Sequence, residues 1–121
     1  MSARVHAVVL DCPDPMALAT FYSELTRWPI AYVDDDWVTV RAEPGGVGLA
    51  FQLAPDHQPP AWPDPNRPQQ FHLDFHVPEY EPTQSEVLAR GAKLLDDSAD
   101  HADFRVFADP AGHPFCLCIG E

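Results

Sequence analysis

Residues 71–77 read FHLDFHV, with Phe71, Leu73, Phe75 and Val77 alternating strictly with His72, Asp74 and His76. Successive side chains of a strand turn to opposite faces. The segment therefore predicts a strand with one apolar face and one face carrying two imidazoles and a carboxylate. Its position decides the fold, because the order of elements restarts here. Adding 65 carries Ala7 to His72, Val9 to Asp74, Asp11 to His76 and Thr26 to Gly91. Adding 66 carries Glu43-Pro44 to Asp109-Pro110, Gly46 to Gly112 and Leu49 to Phe115. Few residues are identical between the halves, and the repeat lies in the pattern: strand, helix, three strands, twice over.

Working outward, residues 4–12 form a nearly apolar run expected to be a strand buried on both faces. Asp14 suits a helix N-cap and Pro15 the first helical position, where a missing N–H costs nothing. Leu18, Phe21, Tyr22 and Leu25 then form one helical stripe. Short strands follow near residues 30–33, 37–41 and 47–53, separated by Asp34-Asp35-Asp36 and by Glu43-Pro44-Gly45-Gly46. Residues 54–70 are a proline-rich linker in which Trp62 implies ordered packing. The second half predicts a helix over about 82–90, with Val87 and Leu88 inward and Gly91 as its stop, then strands at 93–95, 104–107 and 115–119. The expectation is one α+β domain over 1–121: module 1 about 1–53, the linker 54–70, and module 2 about 71–121. Two βαβββ modules, each sheet covered by its helix on one face, would form a curved eight-stranded mixed sheet around a cavity.

Composition narrows the function classes. A chain of 121 residues with 45% apolar and 21% charged residues reads as one globular domain. A net charge of −12 disfavours nucleic acid and anionic membrane surfaces. No apolar run is long enough to span a bilayer, and the N-terminal residues lack the pattern of a signal peptide. Cys12, Cys116 and Cys118 are odd in number and read as reduced, mostly buried thiols, so a cytoplasmic protein is expected.

Four stretches, VVLDCPDPMALATFY, PPAWPDP, PQQFHLDF and VFADPAGHPFCLC, resemble in this order the small glyoxalase-like domain proteins of the vicinal oxygen chelate superfamily. That superfamily includes glyoxalase I, bleomycin-resistance proteins and extradiol dioxygenases. The resemblance implies the duplicated βαβββ fold and a homodimer. It does not fix the activity, since one scaffold hosts isomerases, lyases, dioxygenases and drug-binding proteins. Metal-using members take one ligand from each of four strands. By that correspondence the first position falls on Ala7, the second on Gln52 or Ala50, the third on His72 and the fourth on Cys116. His72, Gln52 and Cys116 are thus the implied donors for a zinc, manganese, iron or nickel ion, and Ala7 leaves the set incomplete. The expectation is therefore a protein without a resident cofactor, and without true lactoylglutathione-lyase activity.

Other residues keep two readings. His72, Asp74 and His76 form either a solvated face or a pocket floor in which Asp74 orients an imidazole for acid–base work. Trp37 and Trp62, with Phe51, form either an aromatic wall or structural packing. Gln52 and Cys116 complete the ligand-binding set. Arg41 and Arg105 either receive a substrate carboxylate or pair with one of the chain's many acids, and His113 reads as a turn residue bonding local backbone. Three classes stay open: a metal-independent lyase or isomerase using His72 and Asp74, a non-catalytic protein sequestering a drug or metabolite, and a divalent-metal lyase or dioxygenase.

Overall fold

The computed structural model describes residues 2–119; Met1, Gly120 and Glu121, at the outer ends of the expected modules, lie outside the described residues. The chain divides into two compact units, residues 1–57 and 58–121, so the proline-rich stretch belongs mostly to the second.

In the first unit, β1 (Ala7–Cys12) is followed by α1 (Pro15–Thr26), β2 (Ile30–Val33), β3 (Trp37–Arg41) and β4 (Gly48–Leu53). The sheet order is β1-β4-β3-β2, with β1 parallel to β4 and the other pairs antiparallel. Asp14 caps α1, its side chain accepting from the Ala17 N–H at 3.1 Å, and Pro15 opens the helix. Leu18, Phe21 and Tyr22 are buried, and the Tyr22 ring stacks on Phe51 at 5.6 Å. β1 departs from expectation: Leu10 and Cys12 are buried, but Val9 is 39% exposed. Only one face of this sheet carries a helix, so alternate residues of β1 stay open.

The second unit repeats the order with β5 (Leu73–His76), α2 (Thr83–Ala89), β6 (Lys93–Asp96), a short 3₁₀ turn over Ala99–His101, β7 (Phe104–Ala108) and β8 (Pro114–Cys118). Its sheet order, β5-β8-β7-β6, has the same parallel and antiparallel pairs. Register confirms the internal repeat. Val9 pairs with Ala50 in the first sheet, and their counterparts Asp74 and Cys116 pair in the second. The eight strands thus form two four-stranded mixed sheets in an α+β fold.

Period-2 alternation sorts the second sheet into two faces. Phe75, Phe107, Phe115 and Leu117 share the core face; Phe107 stacks on Phe115 at 5.4 Å and Phe75 meets Phe115 edge-on at 6.1 Å. From α2 only Val87 is buried. Leu88, expected inward, is 38% exposed, because two turns of helix bury a stripe about one residue wide and its neighbour is rotated about 100° away. Asp74, His76, Phe104, Val106, Cys116 and Cys118 occupy the opposite face.

The linker is ordered. The Ala61 N–H donates to the Arg67 carbonyl at 2.8 Å, and the Asn66 N–H to Asp64 Oδ1 at 2.8 Å, closing a loop around Trp62. Pro59 of this stretch packs on the DPAGHP turn. There Gly112 has φ +93°, and a Cβ on it would lie 2.4 Å from Pro59 Cβ. Buried Asp109 organises the turn, its carboxylate accepting from the Ala111 and His113 N–H groups at 2.8 and 3.0 Å.

Candidate ligand-binding cleft

The open face of the second sheet carries a cleft of about 390 Å³. That size suits a small organic ligand. Strand register brings Asp74, Val106, Cys116 and Cys118 to its floor, while the ordered linker delivers Trp62 and Gln69 and the segment after the 3₁₀ turn delivers Asp103 and Phe104. His72, just before β5, completes the polar end.

Asp74 is the hub. His72 Nε2 lies 3.2 Å from Asp74 Oδ1, and Asp74 stands beside Cys116 across the β5–β8 pair. Burial and then the negative charge of Asp74 push the Cys116 thiol up to about 12, so it stays protonated at neutral pH. Burial, followed by the charges of Asp74 and Asp103, also raises Cys118. A thiol held neutral is a weak nucleophile and a small apolar wall.

The Phe104 wall is fastened from behind. The ring of His101 stacks on Phe104 at 4.1 Å, while its Nδ1 lies 3.0 Å from the Phe104 carbonyl and its Nε2 3.1 Å from Asp96 Oδ2. These two contacts, the carbonyl first, raise the pKa of His101; the Ser98 N–H and then His101 lower that of Asp96.

Of the residues singled out by sequence, the cleft unites His72, Asp74, Trp62 and Cys116. His76 shares their face one pair further along, opposite Cys118, but does not line the cleft. Trp37 and Gln52 belong to the first unit, where they pair across β3 and β4 on the open face of that sheet. The hydrogen bonds of the two arginines go to backbone carbonyls and an amide within their own units. Arg41 donates to the carbonyls of His6 and Gly46; Arg105 lies over the Tyr80 ring at 3.9 Å and donates to Gln84 Oε1 at 2.7 Å. Gln69, Asp103, Phe104 and Val106 were not singled out. Phe104 and Val106 could have been found by extending the period-2 alternation across β7, but nothing local marks Gln69 or Asp103.

Among the described residues, His72, Asp74 and Cys116 also form a group that could hold a metal ion, their donor atoms all within 4.8 Å of one another. Nitrogen, oxygen and sulfur donors at that spacing fit a three-ligand zinc site with an open position, given bonds of about 2.0–2.3 Å. Asp74, not included in the sequence-implied donor set, thus supplies a third donor from within the second unit.

The sequence profile of the glyoxalase-like domain matches residues 7–118. The chain belongs to the glyoxalase-like domain family. This glyoxalase-like chain also resembles solved structures. One is a glyoxalase-related enzyme from Fulvimarina pelagi, with a TM-score of 0.72 at 21% identity over 97% of this chain and 88% of that one. Another is a glyoxalase/bleomycin resistance protein/dioxygenase family enzyme from Burkholderia phytofirmans, at 0.73 and 17% over 95% and 97%. A third is a fosfomycin resistance protein from Mesorhizobium loti, at 0.73 and 12% over 100% and 94%. At such identities the likeness establishes the fold alone. No curated protein matches the sequence. Among the described residues, no helix is long and apolar enough to cross a membrane.

Proposed function

We propose that this glyoxalase-like domain is a small-molecule-binding protein whose ligand occupies the cleft of the second unit. Trp62 and Phe104 contact the apolar part of the ligand, and the His72–Asp74 pair meets its polar end. The observation that carries this reading is the convergence of that pair on a concave, aromatic-walled space large enough for an organic molecule. With Nε2–H given to Asp74, His72 keeps Nδ1 free as a base, which is what a metal-independent lyase or isomerase would need to move a proton on a bound substrate. A screen of metabolites and drug fragments by thermal shift tests it. Hits should lose their stabilisation on Trp62→Ala and on His72→Ala. Hits that stabilise both variants as well as the parent protein would refute it. A homodimer, implied by the family resemblance, belongs to the same proposal and is checked by analytical ultracentrifugation.

The three-donor group favours a second reading, a divalent-metal protein. His72, Asp74 and Cys116 would hold the ion, and zinc suits their mixed donors best. Such an ion would supply Lewis acidity at the polar end of the cleft. Because the Cys116 proton must leave on binding, uptake would strengthen as pH rises. Cobalt(II) titration decides: a thiolate-to-cobalt charge-transfer band lost on Cys116→Ser establishes this reading, and no stoichiometric uptake eliminates it.

A further inference from the structure

Resting on the cleft as the ligand site, we infer that its ligand is an organic cation with N–H donors on a planar apolar body. The lining offers acceptors and π-faces, and no fixed positive charge. Its charged side chains are the carboxylates of Asp74 and Asp103. Arg67, Arg90, Lys93 and Arg105 belong to the same unit, and none lines the cleft. Arg105 extends from the opposite face of the sheet toward Tyr80 and Gln84, and Arg67 donates to the Pro59 carbonyl at 3.4 Å.

The most specific sign is Gln69. Its Oε1 is buried and has no hydrogen-bond partner, although Gln69 lines the cleft. An orphaned buried acceptor is costly, and a rotation of the Gln69 amide into the cleft would let a ligand N–H satisfy it. Trp62 and Phe104 line the cleft with aromatic rings, and a ring face attracts a cation lying on it as well as covering a flat body. The sulfurs of Cys116 and Cys118 add soft, largely apolar surface to the lining. An anionic ligand would meet two carboxylates and an acceptor, with only His72 to answer it, and that imidazole already faces Asp74. The net charge of −12 favours encounter with cations in the same sense.

Three probes of nearly one shape test the inference: benzamidinium, benzamide and benzoate, titrated calorimetrically with chelator present to exclude metal. Benzamidinium should bind at least roughly tenfold more tightly than benzamide, the difference expected for charge-assisted hydrogen bonds, and benzoate should not bind. Asp74→Asn and Asp103→Asn should each reduce the preference for benzamidinium over benzamide, and Gln69→Leu should weaken both amide-type probes. Circular dichroism verifies that each variant is folded. Benzoate binding as tightly as benzamidinium, and lost on Trp62→Ala, would leave the cleft standing and overturn the charge class. Benzamidinium binding unchanged by Trp62→Ala would remove the cleft itself. No binding of benzamidinium in the millimolar range would also overturn the inference.

Discussion

At the scale of single residues, Asp74 and His101 control the cleft from two sides. Asp74 touches both groups that could react, His72 and Cys116, and its charge adds to the burial that keeps the second of them protonated. At pH 8 the folded protein should therefore resist alkylation of Cys116 by iodoacetamide, whereas the urea-unfolded chain should react fully; rapid modification of the folded protein, located by peptide mass mapping, would contradict this. The folded thiol binds its proton more tightly than the unfolded one, with an ordinary value of 9.0. Its contribution to stability is thus complete below pH 9.0 and is lost as pH rises toward about 12. Cys116→Ala should flatten that alkaline loss in melting curves. His101 gives a signal nearer neutrality. Its pKa is raised from 6.5, so its contacts with the Phe104 carbonyl and Asp96 stabilise fully below pH 6.5 and fade as pH rises through the folded value. The difference in Tm between the parent protein and His101→Phe should therefore be larger at pH 5.5 than at pH 8.5; a difference independent of pH would show that His101 only packs.

At the scale of elements, the repeat was legible because turn residues and period-2 alternation recur at nearly constant spacing, and the strand register then follows from it. Val9–Ala50 and Asp74–Cys116 are the same pair in two copies, one apolar and one polar. Leu88 was misplaced because periodicity in a two-turn helix cannot distinguish two adjacent apolar residues. Exposure of alternate β1 residues was missed because an apolar run looks alike whether one face or both are covered. Gly112 ties the linker to the turn before β8. Gly112→Ala would meet Pro59 at 2.4 Å in a left-handed conformation. Urea denaturation should show a loss of about 1–3 kcal/mol, since both strain and displacement of Pro59 oppose it. An unchanged midpoint would mean that the linker does not rest on this turn.

At the scale of the whole molecule, family and fold were readable from the order of motifs, whereas the cleft was readable only in part. His72, Asp74, Trp62 and Cys116 carry chemistry in their residue types and stand out in any sequence. Gln69 and Asp103 reach the cleft through the path of a proline-rich loop and of the segment after a 3₁₀ turn, which no local pattern specifies. Ala7 stands at the first-strand position that the family resemblance implies for a ligand, and the metal-capable donors His72, Asp74 and Cys116 all lie in the second unit. The two units have thus kept one architecture while their open faces differ: Ala7, Val9 and Ala50 on one, His72, Asp74 and Cys116 on the other.

The most direct measurement is a backbone-amide NMR titration with benzamidinium, read residue by residue. Shifts concentrated at Trp62, Gln69, His72–Asp74, Asp103–Val106 and Cys116–Cys118 are the predicted result. Shifts concentrated instead around Trp37 and Gln52 on the first sheet, with the second unit silent, would contradict the assignment of the cleft as the binding site.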